Sequence, residues 1–237
     1  MKSIFMVNGA VAHKFKQGEI TLEIVKQHPR VKVYIDKANE HLNRIGYTEH
    51  GYRHANLVAE ISFNILDRLN YPKRECINAS IAGFLHDIGN LLGRDNHWQV
   101  GALLSQGILT DLGMDIEDVV IIMNAIANHE EEVGDPTTSA TAALILADKA
   151  DVHFSRVRNP DRKTFDMHDR VNYAVKHSFL RVDSGSKKIS LELTIDTAIS
   201  QVMEYFEIFL SRMIISRRAA RFLDCTYELI ANEVKLL

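Results

Sequence analysis

Residues 82–97 read AGFLHDIGNLLGRDNH, and the reading of this stretch decides the fold. Ala82, Phe84 and Leu85 end a strongly apolar helix, and His86 and Asp87 follow side by side, with Gly89 just beyond. An imidazole and a carboxylate are costly to bury there unless something cationic compensates them. A metal ion is the simplest compensator. The plainer alternative is a helix C-terminus whose dipole favours a histidine, and the rest of the chain has to decide between the two.

Upstream, His54 opens an amphipathic helix through Leu57, Val58, Ile61, Ile65, Leu66 and Leu69 that ends near Tyr71-Pro72. Lys73–Ile88 is the next, with Ile77, Ile81, Phe84 and Leu85 inward and Gly89 as its expected stop. Earlier still, Thr21 reads as the cap of a short helix that stops before Pro29. Val31, Tyr34, Ile35, Ala38, Leu42 and Ile45 then make a helical stripe ending at Gly46, and residues 1–20 read as an irregular lead-in arm.

Downstream, His97–Leu112 is predicted helical, with Trp98, Leu103 and Leu104 packing and Gly113 closing it. Asp115 caps a helix whose apolar set is Ile116, Val119, Val120, Ile122, Met123 and Ile126, ending at Asn128-His129. After the acidic turn EEEVGDPTT, Thr138 or Ser139 caps a helix over Ala140–Val157, and a sixth is expected over Phe165–His177. Residues 1–177 thus read as an all-helical bundle. From 178 the pattern changes: FLRVD and KKISLELTI alternate like a hairpin about Ser184-Gly185-Ser186. A long helix over Ala198–Leu223 and two short strands, CTYELI and EVKLL, complete a small α+β appendage over 178–237. The fold class is mainly α.

The totals agree. A chain of 237 residues suits a main domain with a small addition, and 46% hydrophobic with 25% charged residues is ordinary for a globular protein with a real core. A net charge of −3 offers no global attraction to nucleic acid or an anionic membrane. No apolar run approaches the ~18 residues of a membrane span, and MKSIFMVNGA is too short for a signal peptide. Cys76 and Cys225 lack CxxC spacing and read as buried thiols of a reducing compartment. A cytoplasmic protein with no nucleic-acid or membrane partner is expected. Strands of the appendage that pair between subunits would make it a homodimer.

Histidines and aspartates recur at the predicted helix ends. His54 begins one helix, His86 and Asp87 end the next, His97 begins the third, His129 ends the fourth and Asp148 lies on the fifth. Short loops make these helices antiparallel neighbours, so alternating starts and ends fall on one side of the bundle. Six donors are too many for one ion with room for a substrate. Two ions fit, with His86 on one and Asp87 bridging both. Such a pair, ~3.5–4 Å apart, activates water and clamps a phosphoryl group undergoing displacement. Imidazole and carboxylate donors without thiolate suit iron or manganese, with zinc, cobalt, nickel or magnesium as alternatives.

The order His54, His86-Asp87, Asp148 resembles the signature of the HD-domain metal-dependent phosphohydrolase superfamily, and the interposed His97 and His129 resemble its dinuclear branch. The tract LADKADVHFSR is similar to that of bacterial symmetrical diadenosine-tetraphosphate hydrolases. The likeness to HD-GYP phosphodiesterases is looser, because their second histidine block and glycine-tyrosine-proline turn are missing from NHEEEVGDP. The resemblance spans roughly residues 50–160. It implies an HD helical bundle, a dinuclear centre and a phosphorylated small-molecule substrate, in the first place a nucleotide. Many dinuclear members carry lysine three residues after the aspartate of the HD pair, and here that position is Asn90.

Under this reading His54, His86, Asp87 and Asp148 hold one ion, and Asp87, His97 and His129 the other. Asp87 and Lys149 serve catalysis, while Lys149, Arg94, Arg156 and Arg158 meet phosphate, although each cation also reads as a solvated surface charge. The Glu130–Glu132 run reads as a solvated turn, with Glu130 orienting a ligand histidine from behind as the alternative, and His50 reads as a loop histidine. Arg212, Arg217, Arg218 and Arg221 form either an anion-binding patch or a wet helix face. Two rivals stand beside the phosphohydrolase. One is an HD-fold di-iron oxygenase acting on a diol or an aminophosphonate, the other a non-enzymatic HD-like signalling module.

Overall fold

The structure, a computed structural model, describes residues 20–237, so the lead-in arm expected over 1–20 lies, Ile20 apart, outside the described residues. Helices α1 (Leu22–Gln27) and α2 (Pro29–Arg44) meet at His28, and Pro29 occupies the first turn of α2, where its missing N–H costs nothing. The helical body is α3 (Tyr52–Arg68), α4 (Lys73–Leu85), α5 (His97–Asp111), α6 (Ile116–Ala127) and α7 (Ser139–Ala150). In it α3 packs on α4 and α7, α4 on α6 and α7, and α5 on α6. Asp115 caps α6 by accepting from the Glu117 N–H, and Thr138 caps α7 through that of Thr141, as predicted. Residues 140–147 of α7 are all buried, which makes it the central helix around which the others pack.

Several boundaries and packing assignments differ from the expectation. α4 ends at Leu85, and His86 and Asp87 lead into a 3-10 turn over Ile88–Leu91. Gly89 is not a left-handed helix stop. A Cβ at Gly89 would stand 2.0 Å from the His97 carbonyl oxygen and 2.5 Å from the Gly101 nitrogen, so this glycine lets the turn press onto the first turns of α5. α7 stops at Ala150, short of the expected Val157, because Asp151 leaves the helix to make side-chain contacts described below. Leu103, Ile116 and Val120 are exposed, since the buried faces of α5 and α6 run through Ala102, Ser105 and Leu109 and through Val119, Ile122 and Ile126. Ile45, just past the end of α2, is also exposed.

The sixth helix, α8 (Met167–Ala174), is shorter than predicted: the Asp166 side chain caps it by accepting from the Asp169 N–H, and the chain turns extended at Val175. From there β1 (Val175–Asp183) and β2 (Lys188–Ile195) form the expected hairpin, with the Asp183 carboxylate accepting from the Gly185 and Ser186 N–H groups in its turn. The long helix α9 (Val202–Phe222) returns the chain to β3 (Thr226–Ala231), which pairs parallel to β2, and β4 (Val234–Lys235) closes the sheet in the order β1-β2-β3-β4. β2, α9 and β3 therefore make a crossover unit. β1 packs on α3 and α7, α9 packs on α7, and one apolar cluster runs from Val25 to Ala231. The protein is a mainly helical bundle carrying a small α+β appendage. Among the described residues no helix is long and apolar enough to cross a membrane.

Candidate metal centre

The start of α3, the end of α4, the start of α5, the turn after α6 and the last turn of α7 converge on one buried spot. His54, His86, His97 and His129 are each no more than 1% exposed there, alongside Asp87 and Asp148. His54 Nε2 lies 3.2 Å from His86 Nε2 and 3.3 Å from Asp148 Oδ1. Asp87 faces two ways: Oδ2 is 3.2 Å from His86 Nε2 and 3.5 Å from His54 Nε2, while Oδ1 is 3.5 Å from His97 Nε2. The His129 ring sits between those of His86 and His97, with centroids 4.9 and 5.3 Å away.

Every imidazole is fixed from behind. His54 Nδ1 is 2.7 Å from Asp151 Oδ2, and the Nδ1 atoms of His86, His97 and His129 lie 2.8, 3.0 and 2.7 Å from the carbonyl oxygens of Gly83, Arg94 and Ile126. Nδ1 therefore donates in each ring and Nε2 keeps its lone pair, the tautomer a metal ligand needs. Three of these acceptors are the carbonyls three residues earlier in the chain, so a helix end before His86 and His129 and the turn that leads into α5 before His97 orient these rings. Asp151 itself is held by Arg53, whose guanidinium forks onto both carboxylate oxygens at 2.8 and 3.1 Å, and by Arg156.

Electrostatics favour the same picture. Burial pushes the His97 imidazolium down to about 4 and that of His129 well below the usual range, so both rings are neutral donors near neutral pH. Burial works against the Asp87 charge, but the neighbouring His86 brings its carboxyl well below the ordinary carboxylate range. For Asp148 burial is likewise outweighed, by Lys149 and the flanking histidines. Lone pairs that face one another across 3.2 Å repel, and Asp87 Oδ2 is buried with no hydrogen-bond partner. An orphaned carboxylate oxygen amid free imidazole nitrogens fits a divalent cation, which would meet both demands.

Three donor groupings overlap in this cluster: His54, His86 and Asp148; His86, Asp87 and His129; and His97, His129 and Glu130. The six residues expected from the sequence are thus brought together. Asn90 holds the bridging carboxylate, donating to Asp87 Oδ1 at 2.9 Å and to the Asp87 carbonyl at 3.0 Å.

An open pocket of about 590 Å³ adjoins the cluster, bordered by Tyr47, Arg94, Trp98, Glu130, Arg156 and Arg212 among others. The cations expected to meet phosphate separate here. Arg94 and Arg156 line the pocket, although Arg156 also donates to the carbonyls of Glu49 and Asp151. Lys149 is buried and turned to Asp148 Oδ2 and Glu131 Oε2, at 2.5 and 2.6 Å. Arg158 is bound to Asn39 and lies outside the pocket wall. Of the four arginines on α9, Arg212 reaches the pocket and pairs with Glu131, and Arg218 pairs with Asp135. Arg217 and Arg221 are exposed. His50 stacks edge-on against His54 and lies outside all three donor groupings.

No family model matches this chain. An uncharacterized protein of Methanocaldococcus jannaschii, MJ1020, is 24% identical over 208 residues, which is 77% of this chain and 79% of that one. The crystal structure of a predicted HD superfamily hydrolase from an uncultured Thermotogales bacterium covers 85% of this chain and 92% of its own, at 21% identity and a TM-score of 0.43. At these identities the case for a function rests on the side chains.

Sequence reasoning misses Asp151 and the pairing of Glu131 with Arg212, and reads the Glu130–Glu132 run as a solvated turn. Asp151 was within reach, since it follows Asp148 at the three-residue spacing that puts two side chains on one helix face. Glu131 and Arg212 meet across eighty-one positions of chain, and no local pattern marks such a pair. The alternative reading sets Glu130 behind a histidine. Its Oε2 instead lies 3.5 Å from His97 Nε2, on the lone-pair side.

Proposed function

We propose that this chain is an HD-type metal-dependent phosphohydrolase with two divalent ions, iron or manganese in the first place, held by His54, His86, Asp87, His97, His129 and Asp148. The observation that carries this reading is Asp87, one oxygen towards His54 and His86, the other towards His97, and the first of them orphaned. The ions would supply an activated water and Lewis-acid clamping of phosphoryl oxygens. The protein's share is orientation: Gly83, Arg94, Ile126 and Asp151 aim the imidazoles, and Asn90 holds the carboxylate. The adjoining pocket is of small-ligand size. Its lining is mixed, with carboxylates such as Asp95, Glu132 and Asp166 beside the arginines. A phosphate would have to draw Arg94 and Arg212 from Glu130 and Glu131. The rings of Tyr47 and Trp98 could take a base, and the nucleotide reading rests chiefly on the sequence resemblance to diadenosine-tetraphosphate hydrolases.

The test is a screen of nucleotides and simple phosphoesters against protein stripped of metal and reloaded with manganese or iron. Metal-dependent phosphate release is expected. Oxygen uptake without phosphate release, or a reloaded protein inert to every phosphoester, would overturn the assignment.

A further inference from the structure

The outer part of the cluster contains a donor that the six-residue set does not include. Glu130 is 8% exposed, and its Oε2 lies 3.5 Å from the Nε2 of His97, the nitrogen whose lone pair is free. An acceptor that merely orients His97 would face Nδ1, and that nitrogen is already taken by the Arg94 carbonyl. Glu130, His97 and His129 place one donor atom each within 4.8 Å of one another, beside the Asp87 oxygen that faces His97.

A cationic group of the protein stands at this place. The Arg94 guanidinium lies with Nη1 3.2 Å from His97 Nε2 and Nη2 3.3 Å from Glu130 Oε2, and Nη1 also reaches Asn90 Oδ1 at 3.4 Å. It thus touches an imidazole lone pair and a carboxylate oxygen together, the two kinds of donor a divalent ion would take. At the inner end Arg53 approaches His54 through Asp151 on the Nδ1 side, and Lys149 meets Asp148 through Oδ2, not through the Oδ1 that faces His54.

We propose that Glu130 is a ligand of the outer ion, completing a set with His97, His129 and Asp87, and that Arg94 holds this position in the metal-free chain. Binding the outer ion then requires Arg94 to let go of Glu130 and His97. The released guanidinium borders the pocket, where it is free to meet a substrate phosphate. The outer site is in this way the exchangeable one, and the inference rests on the two-ion reading above.

The experiment is a calorimetric titration of manganese into the full chain stripped with a chelator and dialysed, with metal content measured after desalting. Wild type is expected to bind two ions per chain. Glu130→Gln keeps the size of the side chain and removes the charge. It should bind one ion as wild type does, with the second weakened by about 10- to 100-fold or lost. Arg94→Ala removes no donor and should tighten the second ion. Circular dichroism of the stripped variants checks folding, and Arg94→Ala keeps the proposal open to refutation if Glu130→Gln misfolds. Two ions bound by Glu130→Gln with wild-type affinities would overturn the role of Glu130. Unchanged affinity in Arg94→Ala would overturn the displacement. A wild-type chain that never takes a second ion would overturn the two-ion reading itself, and the wild-type trace alone shows that result.

Discussion

The inner and outer halves of the cluster use the same residue types in different settings. The inner half, His54, His86 and Asp148, is backed by Asp151, itself 2% exposed and gripped by Arg53 and Arg156. The outer half, His97, His129 and Glu130, faces Arg94, whose side chain is 27% exposed and borders the open pocket. At the inner end Arg53 and Arg156 hold Asp151 behind His54 and Lys149 meets Asp148 through Oδ2, while at the outer end Arg94 touches the His97 Nε2 and the Glu130 carboxylate together. On the proposed reading, one half would hold its ion and the other exchange it. Among the described residues Asp87 is the side chain with an oxygen towards each.

Removing that shared residue has the largest effect. Asp87→Ala should abolish hydrolysis and lose ions from both halves, with helicity unchanged by circular dichroism; full activity would break the comparison at its centre. Next comes the joint between the halves. Gly89→Ala puts a methyl against the His97 carbonyl, so α5 must back away and carry His97 with it. A loss of about 1–3 kcal/mol in denaturant stability is expected, together with weakened outer-ion binding and an inner ion bound as before. Equal loss of both ions would mean that the halves form a single unit. Asp151→Asn addresses the inner half. It leaves an amide against His54 Nδ1 and Arg53, and manganese affinity at the tighter site should fall about 10- to 100-fold.

The sequence carried much of this, and for identifiable reasons. Helices with a lopsided apolar stripe, such as α3, and caps such as Asp115 and Thr138 are local features, so they were legible. The six donors were legible because each stands at a helix start or in a last turn, or just beyond it, and short loops force antiparallel order. What escaped depends on contacts far apart in the chain. The parallel pairing of β2 with β3 across α9 has no signature in either strand. Gly89 read as a helix stop because a close backbone approach looks the same in sequence as a turn. Glu130 sits in an acidic run that reads as a solvated turn, and only the placement of α5 shows that it faces a lone pair.

The smallest effect concerns acid. In the chelated protein His97 titrates near 4 and His129 and His50 lie well below their ordinary range, all three chiefly because burial disfavours their charged forms. In the unfolded chain the same rings take up protons around 6.5. Between about 6.5 and 4 the unfolded state therefore binds more protons, and stability must fall as the pH is lowered through that window. His86 opposes this: burial lowers it, but Asp87 more than compensates and leaves it raised, so folding gains from its proton. His153 is lowered by burial as well, so four rings against one give a net fall, and the melting temperature of chelated protein should drop between pH 7 and pH 5. A His97→Gln variant removes one of the depressed rings, the one in the outer half, and should flatten that slope without reversing it. A slope identical to wild type would show that the His97 site is wetter than its burial implies, and the distinction between a locked inner half and an exchangeable outer half would then have to rest on metal affinities alone.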